Sequence, residues 1–586
     1  MLDAFHEQVA GVPAVTFDLE TTGLSPIDHQ ISLIGLGVPA TSGFQCWIFD
    51  VQAETKLAEE FKDFWQGKQL KIGHNVKFDA GFLKQHIGSQ PYPNFDTMLA
   101  SQIIHNGRGS NYGHKLEDLV QRELKQTMIK DKRIQQSFKG GPYSKEQLQY
   151  LADDLVAPWL VSPKLVEQLQ NEELDWVNVL ELAALPALQE MELTGFAIDD
   201  ESRVALQQSL EQQLEELTAQ LPQLEKSGKG KKPATVEPLN INSHPQIKEY
   251  FQKTWRINLP DTKEETLVEL ARTTGKPEAA ALAQTITQCR HLHKRLNTYV
   301  NHLQDKHRRS DGRVHGQFNP LGTVSGRISA SNPNLQNIPI RTPQGREIRK
   351  AFVPSSADRV LVAADYSQVE LRIAAAMSGE RGLIEAFQQG EDIHSATAAK
   401  VFGVGLDEVT RDQRSQAKAV NFGILYGQGA FGLAETLGVP RREAKGIIEA
   451  YHAQFSGLQA FTQDCVAKAR EKGQATTLMG RHRPLPDISS NNAVVRAFAE
   501  RNAVNTPIQG SAADIIKVAM IDVAKALDGM DSKLIMQVHD ELVVDAAVHE
   551  LDKVKQLLVT CMEQAAKLEV PLEVEVSHGQ TWLEAH

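Results

Sequence analysis

The sequence predicts an α/β and α+β multidomain fold. Three observations predict it: the length of 586 residues, strand-like runs at 14–20 and 31–38 followed by helical patterns to about residue 170, and a later mixture of long helices with apolar strands. Hydrophobic residues make up 41% of the chain and charged residues 23%, which is the balance of a globular protein rather than a disordered one. The length leaves room for roughly three or four domains, each with an ordinary core.

The net charge is unevenly distributed along the chain. The formal net charge is −12; residues 1–200 hold 28 acidic and 16 basic side chains, whereas residues 201–586 hold 46 of each. Residues 290–350 carry 12 Lys or Arg against 3 Asp or Glu. The total charge argues against a nucleic-acid partner, since phosphate binding depends on Lys and Arg, but the basic segment favours one. A charge run alone is more often a solvated surface, so the motifs have to decide.

Several classes of protein are disfavoured by the sequence. The four cysteines lie far apart and form no CxxC pair, so the sequence predicts neither a disulfide framework nor a zinc site and fits a reducing cytoplasm. No apolar run reaches the length of a membrane span, and no basic stretch precedes a hydrophobic one at the start. Neither a membrane anchor nor a secretory signal is therefore expected.

Leucine spacing predicts two long helices after residue 200. One covers about 204–224 and the other about 282–303, and because a connector separates their two apolar seams we expect an antiparallel arm. The leucines of the first seam are Leu210, Leu214, Leu217, Leu221 and Leu224. The Gly- and Lys-rich segment 227–235 predicts a mobile basic loop, which is either a simple linker or a tip that contacts nucleic acid.

Carboxylates form a first constellation in the α/β part. Asp18 and Glu20 lie two residues apart on a predicted strand, so both side chains project from one face. Such a pair is costly to bury unless a cation neutralises it, and hard oxygen ligands suit Mg²⁺ or Mn²⁺. Asp79 follows, and Tyr150 and Asp154 share a helix face at i and i+4. A DxE pair alone is weak evidence for a metal site, because most such pairs lie on the protein surface.

A second constellation lies beyond residue 360. An apolar strand ends near Asp365, and two apolar runs flank His539 and Asp540, which predicts a hairpin with both residues at its turn. We expect Asp365 and Asp540 to face each other at the edge of one sheet, where a rigidly held carboxylate can bind a metal ion. Either residue alone would more simply be a turn acid.

One helix between these acids combines cationic and aromatic side chains. Arg414, Lys418, Phe422 and Tyr426 stand at i, i+4, i+8 and i+12, which predicts a single stripe on one helix face. A nucleoside triphosphate needs positive charge for its phosphates and a ring face for its sugar and base. The alternative is a core helix whose basic residues extend from an apolar face to solvent.

The motifs resemble those of family A DNA polymerases, the group of bacterial DNA polymerase I. The first constellation is similar to the DEDDy 3′–5′ exonucleases, the proofreading domain of that family, in the segments AVTFDLETTG, GHNVKFDAGFL and YLADD. The second is similar to polymerase motifs A, B and C in DYSQVELR, RSQAKAVNFGILYG and QVHDELV. Further similar stretches are 325–341 and 501–517. The resemblance runs from about residue 14 to the end and corresponds to the large, Klenow-like fragment, so we expect no 5′ nuclease domain.

The resemblance implies an RNase H-like 3′–5′ exonuclease domain followed by a right-hand polymerase. The implied domains are the exonuclease at 1–187, the thumb and its connection to the palm at 188–310, the first palm part with motif A at 311–380, the fingers with the motif B helix at 381–498, and the second palm part with motif C at 499–586. The implied activity is template-directed DNA synthesis at a primer 3′-hydroxyl by two-metal-ion phosphoryl transfer, with 3′–5′ proofreading, in DNA replication or repair.

The resemblance also implies cofactors and partners. Two Mg²⁺ ions are expected at each of the two active sites, and Mn²⁺ can replace them. The implied ligands are Asp365 and Asp540 at the polymerase site, and Asp18, Glu20, Asp79 and Asp154 at the exonuclease site. The implied partners are primer–template DNA, dNTPs and a single-stranded DNA 3′ end. We expect a cytoplasmic monomer, in a nucleoid or an infected host cell, without a membrane partner or a thioredoxin-type insertion; cellular and phage origins stay open.

Roles for single residues follow from the resemblance alone. Glu541 would support the metal ligands, Lys418 would act as general acid, Tyr150 would orient the attacking water, and Glu370 would exclude a ribose 2′-hydroxyl. Binding of the dNTP is implied for Arg414, Lys418, His394, Gln368, Glu370, Phe422, Tyr426 and Gly427. Binding of DNA is implied for Arg327, Asn337, Arg501, Asn505, Gln509 and His539, some of which match residues that contact minor-groove acceptors common to every correct base pair.

Two other interpretations stay open at this point. A single-subunit RNA polymerase shares the right-hand fold, but Glu370 and the complete exonuclease motifs speak against it. A catalytically inactive DNA-binding scaffold is disfavoured by the presence of Asp365, Asp540 and Lys418. One departure from the family pattern is Pro158, which we expect to bend the helix that carries Asp154.

Overall fold

The structure is a computed structural model that describes residues 2–41, 43–54, 56–108, 112–226, 235–304, 308–340 and 343–586. It divides into two compact units. Unit 1 contains Met1–Gly195, His315–Gln336 and Ser356–His578, and unit 2 contains Phe196–Val314, Asn337–Ser355 and Gly579–His586. The predicted basic loop lies outside the described residues except for Thr235. The five domain bounds expected from the sequence remain a prediction.

Unit 1 begins with an α/β arrangement around a five-stranded sheet. Its elements are α1 (Leu2–Ala10), β1 (Ala14–Thr21), β2 (Ile31–Ala40), β3 (Gly43–Asp50), α2 (Leu57–Glu60), α3 (Lys62–Trp65), β4 (Leu70–Gly73), α4 (Val76–Ile87), β5 (Asn94–Asp96), α5 (Thr97–Ile104), α6 (Leu116–Leu119), α7 (Lys132–Gln135), α8 (Lys145–Asn171) and α9 (Asp175–Thr194). The strand order is β3-β2-β1-β4-β5, antiparallel from β3 to β1 and parallel from β1 to β5. The two strands predicted from the sequence are confirmed as β1 and β2.

The two faces of this sheet carry different cores. Val15, Phe17 and Leu19 of β1 pack in a cluster with residues of α1 and α4. Ala14, on the other face of β1, packs in a second cluster with residues of α5 and α8. Because side chains alternate along a strand, even-numbered residues of β1 face α8. This alternation decides where the acidic residues of β1 lie.

The next stretch, residues 196–355, supplies most of unit 2. Its elements are β6 (Ala197–Ile198), α10 (Asp200–Ala219), β7 (Gln223–Lys226), β8 (Thr235–Pro238), α11 (His244–Trp255), α12 (Glu264–Thr273), α13 (Pro277–Thr298), β9 (Gln317–Asn319), β10 (Ser329–Ser331), α14 (Pro343–Lys350) and β11 (Phe352–Val353). The hairpin of β9 and β10 belongs to unit 1, and β11 pairs with β6 inside unit 2.

The predicted helical arm is present, but both helices end earlier than predicted: α13 ends at Thr298, and Leu303 lies in the 3₁₀-helix Val300–Leu303. Leu210 of α10 packs against Leu292 and Leu296 of α13, and Gln304 beyond α13 bonds Gln207 near the start of α10, so the helices run antiparallel. The first helix was predicted to reach residue 224 but ends at Ala219, which places Leu221 and Leu224 beyond it. The cause is Pro222, since a proline disfavours helical backbone in the residue before it.

The rest of unit 1 is a four-stranded sheet surrounded by helices. Its elements are β12 (Arg359–Tyr366), α15 (Val369–Ser378), α16 (Arg381–Gln388), α17 (Ile393–Phe402), α18 (Arg411–Leu425), α19 (Ala430–Leu437), α20 (Arg441–Gln454), α21 (Ser456–Lys472), β13 (Gln474–Thr476), β14 (His482–Pro484), α22 (Ala493–Asn505), α23 (Ser511–Ala526), β15 (Lys533–Val538), β16 (Glu541–Ala547), α24 (Leu551–Glu563) and β17 (Val574–Gly579). The sheet order is β15-β16-β12-β17, and β15 and β16 form the predicted hairpin. Among the described helices, none combines the length and the apolar character that a membrane crossing requires.

A buried ion network joins α9 to the second half of unit 1. Glu181 of α9 pairs with Arg481 and with Lys517 of α23, and Arg481 also pairs with Asp514 at 2.7 Å. All four side chains are at most 3% exposed. Thr477 donates a further hydrogen bond to Asp514 at 2.7 Å. Removing one member of such a network is costly, because it leaves a buried charge uncompensated.

We therefore expect Glu181→Ala to lower the free energy of unfolding by roughly 3–5 kcal/mol, since Arg481 and Lys517 would share the single carboxylate of Asp514. The measurement is guanidinium-induced unfolding followed by circular dichroism. Glu190→Ala is the matched control on the same helix, because Glu190 is 31% exposed and lies 3.8 Å from Lys533. That control should cost about 1 kcal/mol or less. If Glu181→Ala and Glu190→Ala lowered the guanidinium concentration at the unfolding midpoint equally, a structural role for the network would be contradicted.

Candidate active sites

Three acidic side chains converge beside β1. Asp18 and Glu20 lie on the face of β1 that α8 covers, and Asp154 is on α8. Each of the three offers an oxygen atom within 4.8 Å of the other two. Glu20 is 8% exposed and Asp154 6% exposed. The pairing of β1 with β2 shifts register between Glu20 and Thr21, a type of irregularity that often redirects side chains beside active sites.

Asp79 of α4 completes this group. It is 3% exposed, and its carboxylate accepts a hydrogen bond from the backbone N–H of Leu19. Burial, and then the charge of Asp18, raises the pKa of Asp79 well above its usual value. Tyr150 lies one helical turn before Asp154 on α8, as the i, i+4 spacing predicts. The structure therefore brings together all five residues of the first constellation.

Burial and mutual repulsion dominate the electrostatics of these acids. Burial, and then Asp154, raises the pKa of Asp18, and burial followed by Asp18 raises the pKa of Glu20 to about 10. For Asp154, burial outweighs the lowering effect of Lys130 and raises the pKa to about 6. Carboxylates held together at this cost are stabilised by cations, and their oxygen donors fit hard divalent ions such as Mg²⁺ or Mn²⁺.

Lys130 is a member of this site that the sequence analysis did not identify. Its ammonium group pairs with Asp154 and lies 4.3 Å from the centroid of the Tyr150 ring. Burial is the largest single influence and lowers the pKa of Lys130, but the charge and hydrogen bond of Asp154, together with Tyr150 and Asp18, raise it more, so the net shift is upward. Nothing in the local sequence distinguishes Lys130 from its basic neighbours Lys132 and Arg133.

The helix α8 begins with a capping box and continues through its prolines. Ser144 accepts a hydrogen bond from the backbone N–H of Gln147, whose side chain bonds back to the N–H of Ser144 at 2.8 Å. Pro158 was expected to bend the helix, and α8 is continuous from Lys145 to Asn171 with Pro158 and Pro163 inside it. Asp154 lies before both prolines and keeps its place on the sheet-facing side.

The second pair of acids lies at the edge of the other sheet. Asp365 is the partner of Glu541 in the antiparallel pairing of β12 with β16, and the N–H of Tyr366 donates to the backbone oxygen of Asp540 at 3.2 Å. Asp540 is therefore next to the end of β12, as expected. His539 occupies the turn with a φ of 51° and is exposed, whereas Glu541 is only 3% exposed.

An ion pair lies next to Asp540. Arg327 donates from Nη2 to Oε1 of Glu370 at 2.7 Å. Burial raises the pKa of Glu370 to about 7, with Arg327 lowering it and Asp540 raising it. Burial also raises the pKa of Asp540, which Arg327 and His539 partly oppose. Gln368 precedes α15 in a left-handed conformation with a φ of 54°, so it begins the helix that carries Glu370.

The predicted cationic and aromatic side chains lie on α18, except that of Tyr426. Arg414, Lys418 and Phe422 lie on the helix, which begins with a capping box of Thr410 and Gln413. Tyr426 is the first residue after the helix, and its ring stacks on that of Phe422 at a centroid distance of 6.2 Å. The helix therefore ends just before the last residue of the predicted stripe.

Gly427 and Arg501 are neighbours just beyond the end of α18. Gly427 has a φ of 72°, and a Cβ atom there would lie 3.1 Å from Cγ of Arg501. Its left-handed conformation favours glycine, and a side chain there would also press on that of Arg501. Arg501 on α22 is exposed, with its guanidinium 5.8 Å from the ring centroid of Phe498.

His394 of α17 is buried against α18. It is 2% exposed, its Nδ1 bonds the side-chain amide of Asn421 at 2.9 Å, and its Nε2 has no hydrogen-bond partner among the described residues. Burial, and then the charge of Lys418, lowers the pKa of His394 to about 4. Asp392, which sequence analysis did not identify, caps α17 and pairs with Arg414 at 2.5 Å. An Asp just before a helix is a recognisable signal for such a cap.

The remaining candidate DNA-binding residues lie on different elements. Asn505 ends α22 and Gln509 lies in the π-helix Thr506–Gly510 that follows, a rare element that is frequent at functional sites. Asn337 belongs to unit 2, in a 3₁₀-helix, and its backbone oxygen accepts from the Tyr299 hydroxyl at 2.9 Å.

Comparisons with known proteins identify relatives of both parts of the chain. Residues 207–584 match the model of DNA polymerase family A, and residues 1–170 match that of a 3′–5′ exonuclease. Polymerases of this family and their exonucleases are generally metal-dependent.

Two curated relatives illustrate the similarity. The chain is 38% identical over 582 residues to DNA polymerase I of Lactococcus lactis subsp. lactis, covering 97% of this chain and 62% of that protein. It is 40% identical over 566 residues to DNA polymerase I of Bacillus subtilis, covering 95% and 62%. The chain thus spans about three fifths of the length of these relatives. Among solved structures, it is similar to the POL domain of Pol1 from M. smegmatis in complex with DNA primer-template and dNTP, with 31% identity, a TM-score of 0.84 and coverage of 100% of this chain and 98% of that chain.

The environment of His394 predicts an uncharged imidazole at neutral pH. A pKa lowered to about 4 keeps the ring neutral down to about pH 5, so His394 contributes a hydrogen-bonding nitrogen rather than a positive charge. The measurement is an NMR titration of ¹³C-labelled histidine, with the His394 signal assigned from a His394→Gln variant. A His394 signal that stays constant between pH 8 and pH 5 is expected, because the ring is neutral over that range. A His394 signal that changes within that range would contradict the prediction.

Proposed function

Because this chain belongs to DNA polymerase family A, we propose that it is a template-directed DNA polymerase with a 3′–5′ proofreading exonuclease, acting in DNA replication or repair. The observation that carries the proposal is the placement of Asp365 and Asp540 at the ends of paired strands, with Glu370 and Arg327 beside them. We also propose the five domain bounds given above and a monomer without a thioredoxin-type insertion. We propose that the protein acts in the cytoplasm, in the nucleoid or in an infected host cell.

At the polymerase site, Asp365 and Asp540 would hold two Mg²⁺ ions, with Glu541 as a supporting carboxylate. Bound Mg²⁺ supplies Lewis-acid stabilisation of the attacking and leaving oxygens in phosphoryl transfer. The two aspartates contribute fixed positions, since each lies where a strand of a paired sheet ends. Their oxygens need little rearrangement to act as ligands.

The α18 helix would bind the incoming dNTP. Arg414 and Lys418 are exposed and supply positive charge for the β- and γ-phosphates, and Lys418 would donate a proton to the departing pyrophosphate. His394 would donate a hydrogen bond from Nε2, the nitrogen that Asn421 leaves unused. Phe422 would lie by the sugar, with Tyr426 and Gly427 next to the templating base and Gln368 at the start of α15.

Glu370 would exclude a ribose 2′-hydroxyl from the site. Its ion pair with Arg327 holds the carboxylate in one place, and a fixed side chain excludes an added hydroxyl more effectively than a mobile one. This feature favours dNTPs over rNTPs and stands against the RNA polymerase interpretation. Arg327, Asn337, Arg501, Asn505, Gln509 and His539 would contact the primer–template duplex.

At the exonuclease site, Asp18, Glu20, Asp79 and Asp154 would hold two further metal ions. The single-stranded 3′ end of DNA would bind there, and the Tyr150 hydroxyl would orient the attacking water. The convergence of all four carboxylates, three of them with oxygens within 4.8 Å of one another, supports this assignment.

The two sites can be separated by substitution. Asp18→Ala with Glu20→Ala should lower 3′ degradation of a mismatched primer by more than about 100-fold and leave primer extension with dNTPs near normal, because only the first group loses its metal ligands. Asp540→Ala should have the reverse effect. Both reactions are measured on one labelled primer–template by gel electrophoresis, with rNTPs offered in parallel.

Three outcomes would count against the proposal. Degradation that persists in the purified double variant would remove the exonuclease assignment, and extension that survives Asp540→Ala would remove the polymerase assignment. Efficient extension with rNTPs alone would favour an RNA polymerase instead.

The position of Phe422 allows a test of the sugar contact. Phe422→Tyr adds a hydroxyl that can replace the missing 3′-hydroxyl of a dideoxynucleotide, so the ratio of ddNTP to dNTP incorporation should rise by up to about 10-fold for one hydrogen bond. Phe431→Tyr is the matched control, since Phe431 lies on the next helix and is 64% exposed. The ratio is read from competitive single-nucleotide extension. An equal ratio in both variants would place Phe422 away from the sugar.

A further inference from the structure

One positive charge of the chain itself lies inside the exonuclease carboxylate group. The ammonium of Lys130 contacts a carboxylate oxygen of Asp154 and is 4.3 Å from the centroid of the Tyr150 ring. The Lys130 side chain is 20% exposed and that of Asp154 is 8% exposed. The contact is therefore within the site rather than on the surface.

The ammonium contacts one of the three acids that converge in the site. Asp154 is one of the three residues whose oxygens converge within 4.8 Å, together with Asp18 and Glu20. A positive charge in contact with Asp154 disfavours a divalent cation there, because two cations a few ångströms apart repel each other. Lysine and metal ion therefore compete for Asp154.

The neighbours of Lys130 behave differently. Lys132 is exposed at the start of α7, and Arg133 pairs with Asp131 at 2.8 Å with its own side chain 89% exposed. The segment thus separates into one lysine that enters the site and basic residues that face solvent. Lys132 consequently serves as a control with the same charge and nearly the same position in the sequence.

We propose that Lys130 is an internal counter-cation of the exonuclease site, which holds Asp154 in the metal-free protein and must release it before a metal ion binds there. This inference rests on the proposed exonuclease function. Lys130 is a positioning residue that acts through Asp154. It stabilises the metal-free site, where carboxylates would otherwise repel one another, and it weakens metal binding by competition.

The substitution Lys130→Met removes the charge and keeps a stem of similar length. The dissociation constant for Mn²⁺ at the exonuclease site should fall by on the order of 10-fold, the scale of one close charge interaction in a partly exposed site. The melting temperature in EDTA should fall by several degrees relative to the unsubstituted protein. With saturating Mn²⁺ the melting temperatures should coincide, because Lys130 no longer holds Asp154 in that state.

The test uses the full chain and Mn²⁺ as the probe. Free Mn²⁺ is followed by electron paramagnetic resonance during titration, and the exonuclease component is defined as the binding lost in Asp18→Ala with Glu20→Ala. Lys132→Met should match the unsubstituted protein, and Lys130→Arg, which keeps the charge, should stay close to it. Melting curves of all variants are recorded in EDTA and in Mn²⁺.

The outcomes separate the alternatives. Unchanged or weaker Mn²⁺ binding in Lys130→Met overturns the proposal, and so does an equal fall of melting temperature in EDTA and in Mn²⁺, which would indicate a structural role only. If the double variant loses no Mn²⁺ binding, the metal site itself is wrong. That result would overturn the exonuclease assignment and this inference together. It is obtained from the double variant alone, in which Lys130 is unchanged.

Discussion

Antiparallel pairing of β12 with β16 places Asp365 opposite Glu541, and the position of the proposed metal ligands of the polymerase site depends on this register. A slip of one residue would turn Asp365 toward the opposite face, because side chains alternate with a period of two. The same rule acts on β1, where Val15, Phe17 and Leu19 pack in one core and the intervening acids face α8. In both sheets, burial of the apolar side chains fixes the register, and the register fixes the carboxylates.

Burying several carboxylates side by side costs free energy, and each of the two sites offsets that cost with a different basic residue. Beside Asp540, Arg327 pairs with Glu370 and so places one positive charge among buried acids. Beside Asp154, Lys130 supplies the positive charge, and its side chain is more flexible than that of Arg327. The excess of acids in residues 1–200 is thus not evidence against a nucleic-acid substrate, since several of those acids lie in a group that suits cations. Most of the 28 acids must nevertheless be surface residues.

Local patterns predicted the elements that carry the sites, whereas the contacts of Lys130 and His394 with distant segments were not predictable. Strand alternation placed Asp18 and Glu20 on one face of β1, an apolar run located β12, and the i, i+4 spacing placed Tyr150 and Asp154 on one face of α8. The contact of Lys130 with Asp154 depends on how the segment before α7 packs against α8, and no periodicity records that packing. The burial of His394 likewise arises from α17 packing on α18. The end of α10 was predictable from Pro222, but the leucine spacing continued past it and favoured a longer helix.

The face of α18 that is proposed to bind the dNTP combines an exposed ion pair, which can exchange partners, with a buried hydrogen bond, which cannot. Arg414 and Asp392 are 47% and 38% exposed, and an exposed ion pair contributes about 0–1 kcal/mol. A triphosphate, with more charge than one carboxylate, can therefore replace Asp392 at little cost. The bond between His394 and Asn421 is buried, and losing a buried hydrogen bond costs about 1–3 kcal/mol, so it should persist when substrate binds. In the proposed polymerase, positive charge would thus be available for the phosphates, while the buried part of the helix would keep its shape beside the sugar and base.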